Sequence, residues 1–122
     1  VASTVAHDSH HMIVVGTSRA DMALAANRLG EVGGGITVWR DGKELALVRL
    51  PIAGLMSDAP AEEVAAAADA MVRAMAECGA TLNNGYMQHS LLALVVIPEL
   101  RISDMGLIDV TRFEKTDLFE KM

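Results

Sequence analysis

Cysteine occurs once in these 122 residues, as Cys78. That excludes an internal disulfide, fits a reducing cytoplasm, and leaves a structural zinc site without the two or more thiolates it usually takes. Aromatic residues are scarce at 3%, so the core has to be built from Ala, Val, Leu, Ile and an unusual eight methionines. Positive charge is also short. Ten Lys and Arg stand against 16 Asp and Glu, for a net charge of −6 and a pI near 5.0. A nucleic-acid partner would want a basic stripe, so none is expected. No apolar run approaches the ~18 residues of a membrane span, and no signal-peptide pattern is visible.

The hydrophobic share is high, at 52%. A chain of this length forms one domain with its own core. The apolar surplus predicts further surface buried against another domain or a second copy, so a homo-oligomer is expected. The sequence opens at Val1 and runs straight into strand-like residues. It reads as a piece of a longer polypeptide.

Apolar runs and helical periods alternate without a linker. Ser3 to Ala6 and Met12 to Gly16 read as strands. Ser18 followed by Asp21 is a capping-box-like start for a helix carrying Met22, Ala25, Ala26, Leu29 and Val32 on one face. Gly30 and Gly33-Gly34-Gly35 should stop it; these glycines follow a helix and do not open one, which argues against a phosphate loop. Ile36 to Leu50 around Asp41-Gly42 is the clearest hairpin. Ser57 or Asp58 should cap a second helix with Pro60 in its first turn, and Ala61, Val64, Ala68, Met71, Met75 and Cys78 should form its apolar seam before Gly79 ends it. Leu91 to Ile97 reads as a buried strand, and Leu100 to Ser103 with Gly106 to Val110 as a second hairpin. Phe113, Leu118 and Phe119 in the charged tail are candidates for docking on a neighbour. The expected fold is α+β: a mixed sheet with two main helices in a single domain, residues 1–122.

Chemistry is concentrated in one place. Three of the four histidines lie in His7-Asp8-Ser9-His10-His11, between two strand-like runs. Imidazole suits both metal ligation and proton transfer near neutral pH. Three readings are open for the cluster: a polar loop bonded to nearby backbone, a loop that touches the ligand of a larger active site, or a metal site of His7, His10 and His11. Against the last, adjacent His10 and His11 tend to point to opposite faces if extended. His89 reads as structural. Gly54, Met56 and Ser57 mark either a turn where backbone approaches a ligand or an ordinary strand-to-helix turn.

Thr4-Val5-Ala6-His7-Asp8-Ser9-His10-His11, Val14-Val15-Gly16-Thr17, Gly33-Gly34-Gly35-Ile36, Leu50-Pro51-Ile52-Ala53-Gly54-Leu55-Met56-Ser57 and Val96-Ile97-Pro98-Glu99-Leu100-Arg101 closely resemble the C-terminal domain of bacterial adenine deaminases. The likeness runs over nearly the whole chain, in order; it departs at His11, where Asn is more usual. The resemblance implies an amidohydrolase-superfamily enzyme that converts adenine and water to hypoxanthine and ammonia, using Mn2+ or Fe2+. It places the metal ligands on a barrel domain that precedes this one. It further implies that this domain packs on that barrel and roofs its active site, with His7, Asp8, Ser9 and His10 as candidates for touching substrate. No catalytic residue is assigned within the chain. The competing classes are a non-catalytic assembly module and a small stand-alone metal-binding protein.

Overall fold

Alternating apolar residues on either side of Asp41-Gly42 build the spine of the structure, a hairpin of β3 (Gly35–Arg40) and β4 (Lys43–Arg49). Asp41 and Gly42 both have positive φ, 53° and 74°, as a tight two-residue hairpin turn requires. The computed structural model describes residues 1–7 and 10–119. Two short strands, β1 (Ala2–Ser3) and β2 (Ile13–Val14), complete an antiparallel sheet in the order β2-β1-β3-β4. A second antiparallel sheet contains β5 (Leu100–Ser103), β6 (Gly106–Asp109) and β7 (Glu114–Lys115). The α+β class is as the sequence predicts, but its strands divide between two sheets whose pairings are all antiparallel, instead of forming one mixed sheet. Two helices and a 3-10 turn lie between the two ladders in the chain.

The first sheet is covered on both faces. On one, α1 (Arg19–Val32) lays Ala25 and Leu29 over Ala2, with Val14, Val32, Trp39 and Leu47 around them. On the other, α2 (Ala61–Glu77) packs Met71, Ala74 and Met75 against Ile36, Val38, Ala46, Val48 and Leu50. Methionine fills the space that aromatics would occupy in another core.

Ser18 caps α1 as its sequence predicts, its Oγ accepting from the Asp21 amide at 3.2 Å. The Asp21 carboxylate accepts from the amides of Asp41 and Gly42 at 3.1 and 2.9 Å, tying the start of the helix to the hairpin turn. Ser18→Ala should lower thermal stability by about 1 kcal/mol, measurable by chemical denaturation. An unchanged midpoint would mean that Asp21 alone holds this helix end. The predicted stop holds at Gly33 but not at Gly30, which the helix runs through because no side chain or neighbour obstructs it there. Gly33 is left-handed at φ 81°, and the Gly34 amide returns to the Leu29 carbonyl at 2.8 Å.

Three sequence expectations need correction. The seam of α2 is rotated: Met71 and Met75 are buried, Val64 and Ala68 half-buried, and Ala61 and Cys78 exposed. Alanines on every side of this helix hide its phase, and the packed stripe passes through Ala67, Ala70 and Ala74. Neither Ser57 nor Asp58 caps α2. Pro60 sits at that end with no side-chain cap, while Ser57 Oγ accepts from the Ala59 amide in a local turn. Leu91 to Ile97 is not a strand. A six-residue α3 (Gly85–Ser90) runs into a 3-10 turn, Leu91–Ala93, of which only Ala93 is buried. A continuous apolar run has no period, so it cannot distinguish strand from helix or turn.

Candidate functional site

The histidine cluster lies on the connection between β1 and β2, which pair in the register Ala2↔Val14 and Ser3↔Ile13. Its base is held firmly. The Thr4 amide donates to the Gly35 carbonyl at 2.9 Å, and the Thr4 hydroxyl donates to the Gly54 carbonyl at 2.7 Å while accepting from the Gly35 amide at 2.9 Å. One side chain thus joins β1, the start of β3 and the 52–56 turn, where Ile52 and Met56 form an isolated bridge. The backbones come so close that a Cβ on Gly34 would lie 2.5 Å from the Gly54 Cα. Ala6 is fully buried. Gly54 therefore meets Thr4 and Gly34, and its turn is structural.

Beyond this base the chain turns outward. The His7 amide donates to the Ser90 carbonyl at 3.2 Å, pinning the loop to the end of α3, and the His10 amide donates back to the Ala6 carbonyl at 2.7 Å. His10 is left-handed, with φ 50°. The His7 and His10 rings lie 6.4 Å apart between centroids, inclined at 49°. His7 is half-buried, whereas His10 and His11 are exposed. The predicted site residues Asp8 and Ser9 lie outside the described residues. His7 and His10 thus lie near one another, while the predicted turn at Asp8-Ser9 lies outside the described residues. Such a pair can donate or accept two hydrogen bonds to one small polar guest.

Among the described residues no three of His, Cys, Asp or Glu are grouped to hold a metal ion. His89 stands on α3, next to the Ser90 that receives the His7 amide. Burial pushes its pKa below the usual histidine value, and its Nδ1 is buried with no hydrogen-bond partner among the described residues. The neutral ring is favoured, as a structural histidine requires. Sequence reasoning missed Thr4, which organises the base, and Ser90, which receives the loop. Neither has a local signal, because both act through contacts distant in sequence. Among the described residues no helix is long and apolar enough to cross a membrane.

Residues 1–114 match the family model described as the adenine deaminase C-terminal domain. The chain is 80% identical over 122 residues to an adenine deaminase of Ruegeria pomeroyi, 76% over 118 residues to one of Paracoccus denitrificans, and 55% over 118 residues to one of Moorella thermoacetica. These matches cover 100%, 97% and 97% of this chain but only 20% of each relative, so the chain spans about a fifth of their length.

Proposed function

Because this chain belongs to the adenine deaminase C-terminal domain family, we propose that it is the C-terminal domain of an adenine deaminase and presents His7 and His10 to the substrate at the mouth of a catalytic barrel. The observation that carries this reading is two imidazoles 6.4 Å apart, half-buried His7 and exposed His10, on a connection whose base is fixed by Thr4. Loops positioned by a rigid scaffold are where binding groups concentrate.

The overall reaction exchanges the exocyclic amine of adenine for the oxygen of water, releasing hypoxanthine and ammonia. Purine ring nitrogens accept hydrogen bonds and the exocyclic amine donates them. Each neutral imidazole has one donor and one acceptor nitrogen, so His7 and His10 can meet either type of group. In this reading they orient the purine and close off water above it. Manganese or iron would activate the attacking water in such an enzyme. The described residues of this chain do not fit such an ion, since no three ligands gather; its place is on the preceding barrel.

The experiment is a comparison of two proteins. The full-length polypeptide, supplied with manganese or iron, should convert adenine to hypoxanthine with release of ammonia. The chain of residues 1–122 under the same conditions should not. A full-length protein that ignores adenine, or an isolated chain that turns it over at a comparable rate, would overturn the reading.

A role in assembly is supported by a separate observation. Ile102, Phe113, Leu118 and Phe119 are 79%, 85%, 75% and 80% exposed, all on or beside the second sheet. Several large apolar side chains this exposed are consistent with surface covered in the complete protein. The two roles are compatible, because the barrel of the same polypeptide can cover this sheet while the histidine loop faces its mouth.

A further inference from the structure

A cavity of about 640 Å3 lies away from the histidine loop. It is a groove between Val15, Gly16 and Thr17 on one side and Val38, Trp39 and Arg40 on the other, with Val1 at its inner end. From the register of the strands, we infer that this groove is the vacant lane of the sheet's inner strand, and that its occupant is the segment of the longer polypeptide immediately preceding Val1, which continues β1 between β2 and β3.

Three observations meet here. The first is strand length. β1 lies between β2 and β3 yet spans only Ala2–Ser3, whereas β3 continues to Arg40. The irregularity in the β3–β4 ladder puts the extra residue on β4, so β3 stays regular through Trp39 and Arg40. The backbone beside Val1 is thus shaped for another strand.

The second is hydrogen-bond alternation. Val1 and Val15 exchange both bonds at 2.9 Å, so Val1 directs its backbone groups toward β2. In an antiparallel ladder the residue before it turns toward the opposite neighbour. In the register Ala2↔Thr37 that neighbour is Trp39, whose amide and carbonyl lie in phase with Thr37 and Gly35 along β3. The Val1 nitrogen already donates as a strand amide would.

The third is what lines the groove above and below. Met22 and Asp21 of α1 border it on one face of the sheet, and Met75 and Cys78 of α2 with His89 of α3 on the other. A strand sends successive side chains to opposite faces, so a continuing β1 would fill both halves of this space. The occupant is also at hand. The relatives match this chain in their C-terminal part and are about five times its length, so in them a segment leads directly into the position of Val1. A partner strand from another molecule would have to displace it. This inference concerns how the domain is joined to the rest of the polypeptide, and it stands independently of any role for His7 and His10.

The test uses the full-length polypeptide. In the extended register, the second residue before Val1 lies opposite Arg40 in a non-hydrogen-bonded pair, where Cα separations of about 4.5 Å suit a disulfide. Cysteines at that position and in Arg40→Cys, with Cys78→Ser to clear the groove, should form an intrachain disulfide on mild oxidation, identified by peptide mass spectrometry. A cysteine one residue further upstream points to the other face and should cross-link to Arg40→Cys at least tenfold less. In the unmodified protein, hydrogen exchange should find the Trp39 amide as slow as that of Thr37. Cross-linking no better than the out-of-register control, or a Trp39 amide exchanging like an exposed one in the folded full-length protein, would overturn the inference.

Discussion

In the full-length enzyme, His7→Ala and His10→Ala should each lower kcat/KM for adenine by roughly twofold to tenfold, the loss of one neutral hydrogen bond, and by up to about a hundredfold if the bond is to a charged group. The rings lie 6.4 Å apart and would share one guest, so the double variant should fall short of the product of the two single effects. His11→Asn should stay close to the parent, because only His7 and His10 are proposed to meet the purine. Steady-state kinetics on fully metallated, folded protein decides the matter. Parent-like kinetics in both alanine variants would return the loop to a purely structural role.

The second large effect is on stability. Gly34→Ala should destabilise the domain by about 3 kcal/mol or more, the sum of a left-handed residue that has gained a Cβ and a clash with immovable backbone. Gly34 has φ 114°, and the added Cβ would lie 2.5 Å from the Gly54 Cα and 3.2 Å from both the Leu50 carbonyl and the Thr4 hydroxyl oxygen. Because Thr4 anchors the loop base, Gly34→Ala should also loosen residues 4–7, seen as faster hydrogen exchange there. The matched control is Gly30→Ala. Gly30 lies inside α1, with nothing within 4 Å of the added Cβ, so alanine should stabilise by up to about 1 kcal/mol. Equal melting temperatures for the two variants would show that the Thr4–Gly34–Gly54 contact does not hold the loop base.

Local chemistry was the readable part of this sequence. The Asp41-Gly42 turn, the Ser18 cap and the Gly33 stop each have a residue-level cause within a few positions, and each stands where the sequence predicts it. The phase of α2 was harder to read, since alanine carries too little hydrophobic contrast to mark a face. Leu91 to Ile97 misled for a related reason: with no alternation, its hydrophobicity does not distinguish a strand from the short helix and turns that form. The site divides the same way. The histidine cluster was visible as composition, and the His7 and His10 rings lie 6.4 Å apart, whereas the turn predicted at Asp8-Ser9 lies outside the described residues. Thr4 and Ser90 were invisible, because their hydrogen bonds join residues 50 and 83 positions apart, Thr4 to Gly54 and His7 to Ser90. The inner-strand groove was equally hidden, as it depends on the register of three strands.

The central claim is that His7 and His10 meet the purine, and chemical labelling of histidine tests it most directly. The metallated full-length protein is treated with diethyl pyrocarbonate in the presence and absence of saturating hypoxanthine, and modification is followed residue by residue with mass spectrometry. His7 and His10 should be modified several-fold more slowly with hypoxanthine bound, with His89 unchanged as the internal reference. Equal labelling of His7 and His10 in both conditions, with saturation established by an independent titration, would contradict the account.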